Sequence, residues 1–152
     1  MIRPGIGLAA LILATASGCG DGPLSPSQRL QLAEARARWA DGGSGDYTVE
    51  GRISCFCPSH LLLWTRLTVR AGQIVAAEPV EPPPDGIEPS LLGWRTVEEA
   101  FGMIEGFDSS VIRSVKLRFD SELGYPLEIR VTCHSNITDC GVVEEMRNLR
   151  FP

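Results

Sequence analysis

Residues 111–133 read VIRSVKLRFDSELGYPLEIRVTC, and the alternation within them decides the fold class. Val115, Leu117 and Phe119 lie on one side of an extended chain, with Lys116 and Arg118 on the other. Beyond Gly124-Tyr125-Pro126, Leu127, Ile129, Val131 and Cys133 again oppose Glu128, Arg130 and Thr132. A period of two belongs to half-buried strands. Gly admits positive φ and Pro fixes the strand entry, so the intervening tripeptide reads as a turn. The stretch predicts a pair of antiparallel strands.

The same periodicities extend outward from it. Downstream, a polar loop over residues 134–139 leads to Cys140 and to a closing strand marked by Leu149 and Phe151. Upstream, Thr96-Val97-Glu98-Glu99 is a capping box, and Val97, Ala100, Phe101, Ile104 and Phe107 form the apolar stripe of a helix ending near Gly106. Residues 79–93 hold five prolines, including Pro82-Pro83-Pro84, which suits an extended surface connection and excludes a sheet interior. Such a stretch can also dock to aromatic grooves.

Three strands are expected before it. Over residues 46–57, Tyr47, Val49, Ile53, Cys55 and Cys57 oppose Thr48, Glu50, Arg52 and Ser54. After a turn at Pro58-Ser59, Leu61, Leu63, Leu67 and Val69 oppose Trp64, Arg66, Thr68 and Arg70; Ala71-Gly72 then turns the chain into residues 73–80. Further upstream, Ser25 as N-cap and Pro26 at the first position open a helix to about Ala40, ending at Gly42-Gly43. Leu30, Ala33, Ala37 and Ala40 share one of its faces, with Trp39 beside it. The order helix, three strands, helix, three strands predicts an α+β fold, an antiparallel sheet of about six strands with helices on one face, in one domain over residues 26–152.

The start of the chain carries an address. Residues 1–18, MIRPGIGLAALILATASG, have one early cation at Arg3, an apolar run too short for a bilayer, and small residues before Cys19. Ala16-Ser17-Gly18-Cys19 resembles the lipobox of bacterial lipoproteins, with Ala16 where Leu is usual. The resemblance implies cleavage after Gly18 and a diacylglycerol, with further acylation such as palmitate, on Cys19. Acyl chains anchor because each buried methylene contributes about 0.8 kcal/mol. Residues 19–25 read as a lipidated tether. Gly20 in place of Asp leans toward the outer membrane, at its periplasmic face or the cell surface. An ordinary cleaved signal with Cys19 as a spare thiol is the alternative.

The 152 residues carry a formal net charge of −5, and the 134 left after residue 18 carry −6. That length suffices for one cored domain burying roughly two-thirds of its unfolded surface. Thirteen of the fourteen basic residues are Arg and the other is Lys116; they are scattered among carboxylates along the chain. That scatter and the mild acidity argue against nucleic acid as a partner.

Trp39, Asp46-Tyr47, Cys55-Phe56-Cys57-Pro58, Thr96-Val97-Glu98 before Phe101, and Gly124-Tyr125-Pro126 follow in an order that resembles a family of small bacterial lipoproteins and secreted proteins known as a domain of unknown function. The resemblance spans roughly residues 39–151. It implies export and fold and transfers no catalytic role. Cys133 and Cys140 stand outside its pattern.

With Cys19 lipidated, four cysteines remain, an even number suited to cystines in an oxidising compartment. Local pairing, Cys55 with Cys57 and Cys133 with Cys140, is the favoured arrangement. The first pair requires a kinked backbone, since Cα atoms two apart in a strand lie about 6.8 Å apart. The alternative staples the first meander to the last hairpin. A strained Cys55-Cys57 bond would make a thiol–disulfide exchange site, although no Cys-x-x-Cys at a helix start is present to lower a thiol pKa. A zinc site from Cys55, Cys57, His60, Cys133, His134 and Cys140 is a further alternative; Cys57 and His60 have a usable spacing, while Cys55 and Cys57 do not.

Among catalytic motifs no Ser, His and Asp set stands out. Glu98-Glu99 reads as helix capping, Glu144-Glu145 as a solvated face. The sequence therefore points to a lipid-anchored envelope domain, without cofactor, that acts by contact and not by catalysis. Its partners would be the membrane, through Cys19, and an envelope protein or small ligand met by the proline segment or by Trp64, Trp94 or Tyr125.

Overall fold

The computed structural model describes residues 22–43 and 45–152. The signal sequence and Cys19 lie outside the described residues. The first helix, α1 (Pro26–Gly42), starts where Ser25 accepts a bond from the Gln28 amide and Gln28 reaches back to the Ser25 amide, with Pro26 in the first turn. Gly43 closes it, its amide donating to the Trp39 carbonyl. Leu24, within the stretch read as tether, is already buried in the core.

Six strands follow in one antiparallel sheet: β1 (Tyr47–Ser54), β2 (Thr65–Arg70), β3 (Gln73–Pro79), β4 (Ile112–Phe119), β5 (Pro126–Cys133) and β6 (Val142–Arg150). Their order is β3-β2-β1-β6-β5-β4. The sheet is thus two three-stranded meanders joined where the first and last strands pair. The second helix, α2 (Val97–Glu105), lies between β3 and β4 in sequence and has the expected capping box at Thr96 and Glu99. Residues 80–96 form a long connection without helix or strand. Both helices bury their apolar stripes on one face of the sheet, against Tyr47, Val49, Leu67, Ile129 and Met146. No helix among the described residues is long and apolar enough to cross a membrane.

Several expectations need correction. The buried stripe of α1 is Leu32, Ala35 and Trp39, and Leu30 is 61% exposed. The chain after Pro58 forms a 3-10 turn, Ser59–Leu62, before β2 begins at Thr65. Strand β1 ends at Ser54, so Cys55 and Cys57 lie in the bend beyond it and not on an inward strand face.

Several of the residues that carry the family resemblance, Trp39, Tyr47 and Val97 among them, meet in the core. Glu98 accepts from the Trp39 indole Nε1 at 3.0 Å and from the Tyr47 hydroxyl at 3.1 Å, while the Val97 amide donates to Tyr47 at 2.8 Å. One carboxylate therefore ties α1, β1 and α2 together, a role distinct from capping. Burial drives the Tyr47 phenol well above its ordinary pKa; the Val97 amide opposes this and Glu98 adds to it, so the hydroxyl stays a donor. Gly124 has φ of +82°, and a Cβ there would lie 2.1 Å from the Ala35 carbonyl oxygen. The turn before β5 thus presses directly on the α1 backbone.

Candidate functional site

The sheet's second face has no helix over it among the described residues, and the strand registers gather charge there. Alternation places Glu50 and Arg52 of β1, Arg66 and Arg70 of β2, Glu78 of β3, Lys116 and Arg118 of β4, Glu128 and Arg130 of β5, and Glu145 and Arg147 of β6 on it. Arg150 joins them opposite Thr48, beyond a bulge in the β1–β6 pairing at which Asn148 takes φ of +54°. Eight cations here meet four carboxylates, whereas carboxylates outnumber cations by five in the whole chain.

Two of the carboxylates are buried hubs. Glu50, 6% exposed, accepts from Arg147 Nε at 2.9 Å and Asn148 Nδ2 at 3.0 Å on one oxygen, and from Arg66 at 3.4 Å on the other. Burial pushes its pKa upward, yet the bonds from Asn148, Arg147 and Arg66 together outweigh burial and hold it below the usual range. Glu128 pairs with Arg130 at 3.0 Å, Arg118 at 3.3 Å and Lys116 at 4.0 Å. The Arg130 bond, opposed by burial and aided by Lys116 and Arg118, holds its pKa low as well. Between the hubs Glu145 accepts from Arg52 Nε at 3.0 Å. Each hub therefore keeps a charged carboxylate surrounded by more than one partly exposed cation.

Trp64 borders this face. The Arg147 guanidinium lies 3.8 Å and that of Arg52 4.8 Å from its ring centroid, within cation–π range. Its outer edge lines a groove with Pro82 and Pro84 of the long connection. Trp94 and Tyr125 are not exposed contacts. Trp94 is 8% exposed, donates to the Ser90 carbonyl and packs against Gly51; Tyr125 is likewise buried. The proline segment folds inward around Trp94 and His60 through Pro83, Ile87 and Pro89.

Glu144 is on the opposite face, level with Ile53 and Ile129, and only 4% exposed. It is not part of a solvated run. Burial raises its pKa; Arg95, which donates to it at 2.8 Å, pulls the other way, and nearby Glu99 adds to the rise. Period-two alternation places Glu144 inward, and a carboxylate on an inward position was the available signal for it. For Glu50 and Glu128 the signal was weaker: both stand on outward positions of strands with arginine neighbours.

The cysteines pair locally, Cys55 with Cys57 at a Cα separation of 5.2 Å and Cys133 with Cys140 at 6.0 Å. The bend after Ser54 shortens the first separation from its extended-strand value of about 6.8 Å. Both cystines leave no thiolate for a metal. His60 and His134 bond the carbonyls of Leu92 and Ser109. Phe56, between the first two cysteines, is 88% exposed.

Residues 31–151 match a family described as one of unknown function, DUF6174. No curated protein and no solved structure is detectably similar to the chain.

Proposed function

The chain belongs to the DUF6174 family of unknown function, and from that premise we propose that it is a lipid-anchored protein of the cell envelope that works by contact. Cys19 is its acylated N-terminus, and the start of the 19–25 tether, ahead of buried Leu24, links the domain to the lipid. The domain is a non-catalytic binding module.

The observation that carries this reading is the uncovered sheet face, where paired charges are held in register by the strands and by two buried carboxylates. Charges fixed in place lose little side-chain freedom on meeting a partner, which favours recognition. Loops closed by cystines suit the oxidising compartment that the signal sequence implies.

Subcellular fractionation of the full chain and of Cys19→Ser tests the anchor. The native protein is expected in the membrane fraction through washes with about 1 M salt, which screens surface charge to a Debye length of about 3 Å. Cys19→Ser is expected to release the folded domain. Equal membrane retention of both would refute lipid anchoring at Cys19.

A further inference from the structure

We propose that the open face of the sheet docks an extended acidic polypeptide segment of a partner protein, its carboxylates seating in the two arginine-rich hubs around Glu50 and Glu128. The proposal rests on the contact reading above but not on lipidation. Its first ground is charge complementarity. On this face cations outnumber carboxylates two to one, in a chain whose net charge is −5. A hub carboxylate positions its guanidiniums without neutralising them all, so each hub retains capacity for a second anion.

The second ground is chemistry. Seven of the eight cations are arginine, whose planar fork pairs both oxygens of a carboxylate. The Glu50 hub adjoins an open cavity of about 300 Å³ lined by Thr48, Arg66, Asn148 and Arg150, ample for a carboxylate side chain.

The third ground is spacing. Two strand intervals and a two-residue offset set the hubs about 12 Å apart, close to the roughly 13 Å between side chains four residues apart in an extended chain. Glu145 and Glu128 stand opposite each other on this path. They repel a continuous anionic surface, or duplex nucleic acid with a charge about every 1.7 Å, but leave room for separate carboxylates. A polypeptide is therefore favoured over a lipid bilayer or nucleic acid.

The test is fluorescence-anisotropy titration of the full mature protein in neutral detergent with labelled poly-L-glutamate, repeated with duplex DNA and supplemented by detergent-free co-sedimentation of the unlipidated Cys19→Ser protein with phosphatidylglycerol vesicles. Binding to poly-L-glutamate is expected to weaken at least about tenfold between roughly 50 and 300 mM salt. Joint Arg118→Gln and Arg130→Gln substitution should weaken it at least about tenfold, and Arg130→Lys by less. Arg36→Gln, which alters an exposed pair between Arg36 of α1 and Glu105 of α2, should leave binding unchanged. Circular dichroism confirms folding, and if the double variant unfolds, exposed Arg150→Gln takes its place with the same expectation. No binding to poly-L-glutamate, tighter binding to vesicles or DNA, self-association in place of peptide binding, or equal loss in Arg36→Gln would each overturn the proposal. Unmodified Cys19 with intact poly-L-glutamate binding would defeat the anchor and leave the docking face standing.

Discussion

Three buried glutamates behave in opposite senses, and their environments explain why. Glu50 and Glu128 each have several cations, which hold their carboxyls low; at Glu144 deep burial, opposed by Arg95 and aided by neighbouring Glu99, holds the carboxyl high. A carboxyl lowered by the fold contributes stability above its unfolded pKa of about 4.3, lost as pH falls through the folded value. A raised carboxyl contributes below about pH 4.3 and loses this as pH rises through its folded value. Thermal melts of Glu128→Gln and Glu144→Gln against the wild type should therefore diverge with opposite signs. The Tm deficit of Glu128→Gln should grow from acid to neutral pH, while Glu144→Gln should gain on the wild type over the same range. At Gly124, positive φ and the approach of Ala35 combine. Gly124→Ala is expected to destabilise by about 3 kcal/mol or more in urea unfolding. The sequence showed that a glycine turn stood there, but its pressure on α1 is a tertiary contact with no local pattern.

Among the elements, α2 was fully legible because its capping box and apolar stripe fall together, from Thr96 to Phe107, and agree. The helix α1 was legible in extent and not in orientation. Its alanine-rich sequence offers two interleaved stripes, and contacts from Tyr47 and the Gly124 turn select Leu32, Ala35 and Trp39. Leu32→Ala should accordingly cost about 2–4 kcal/mol, and Leu30→Ala less than about 0.5 kcal/mol, as measured by urea unfolding. Strand alternation placed Val115, Leu117, Ile129 and Val131 correctly. It also ran β1 past Ser54, because Cys55 and Cys57 continue the alternation on paper; their bridge requires the bend that ends the strand.

At the scale of the molecule, six strands and two helices in an α+β fold follow from periodicity, but strand order does not. The β1–β6 pairing joins residues nearly a hundred positions apart, and it brings Arg147 and Asn148 onto Glu50. Arginines scattered along the sequence become a cationic face only through that register, so the candidate site was invisible as a motif. The exposed aromatic contacts expected at Trp94 and Tyr125 gave way to core packing, and Trp64 became a platform for two guanidiniums. The face is the same whether or not the chain is anchored; the anchor would determine where it is presented. Intact and peptide mass spectrometry of the native membrane-extracted protein, alkylated with and without reductant, tests that central claim most directly. The account predicts a chain beginning at Cys19 with diacylglycerol mass, and cystine-linked Cys55-Cys57 and Cys133-Cys140 peptides. An unmodified Cys19, or Cys55 and Cys57 alkylated without reductant, would contradict it.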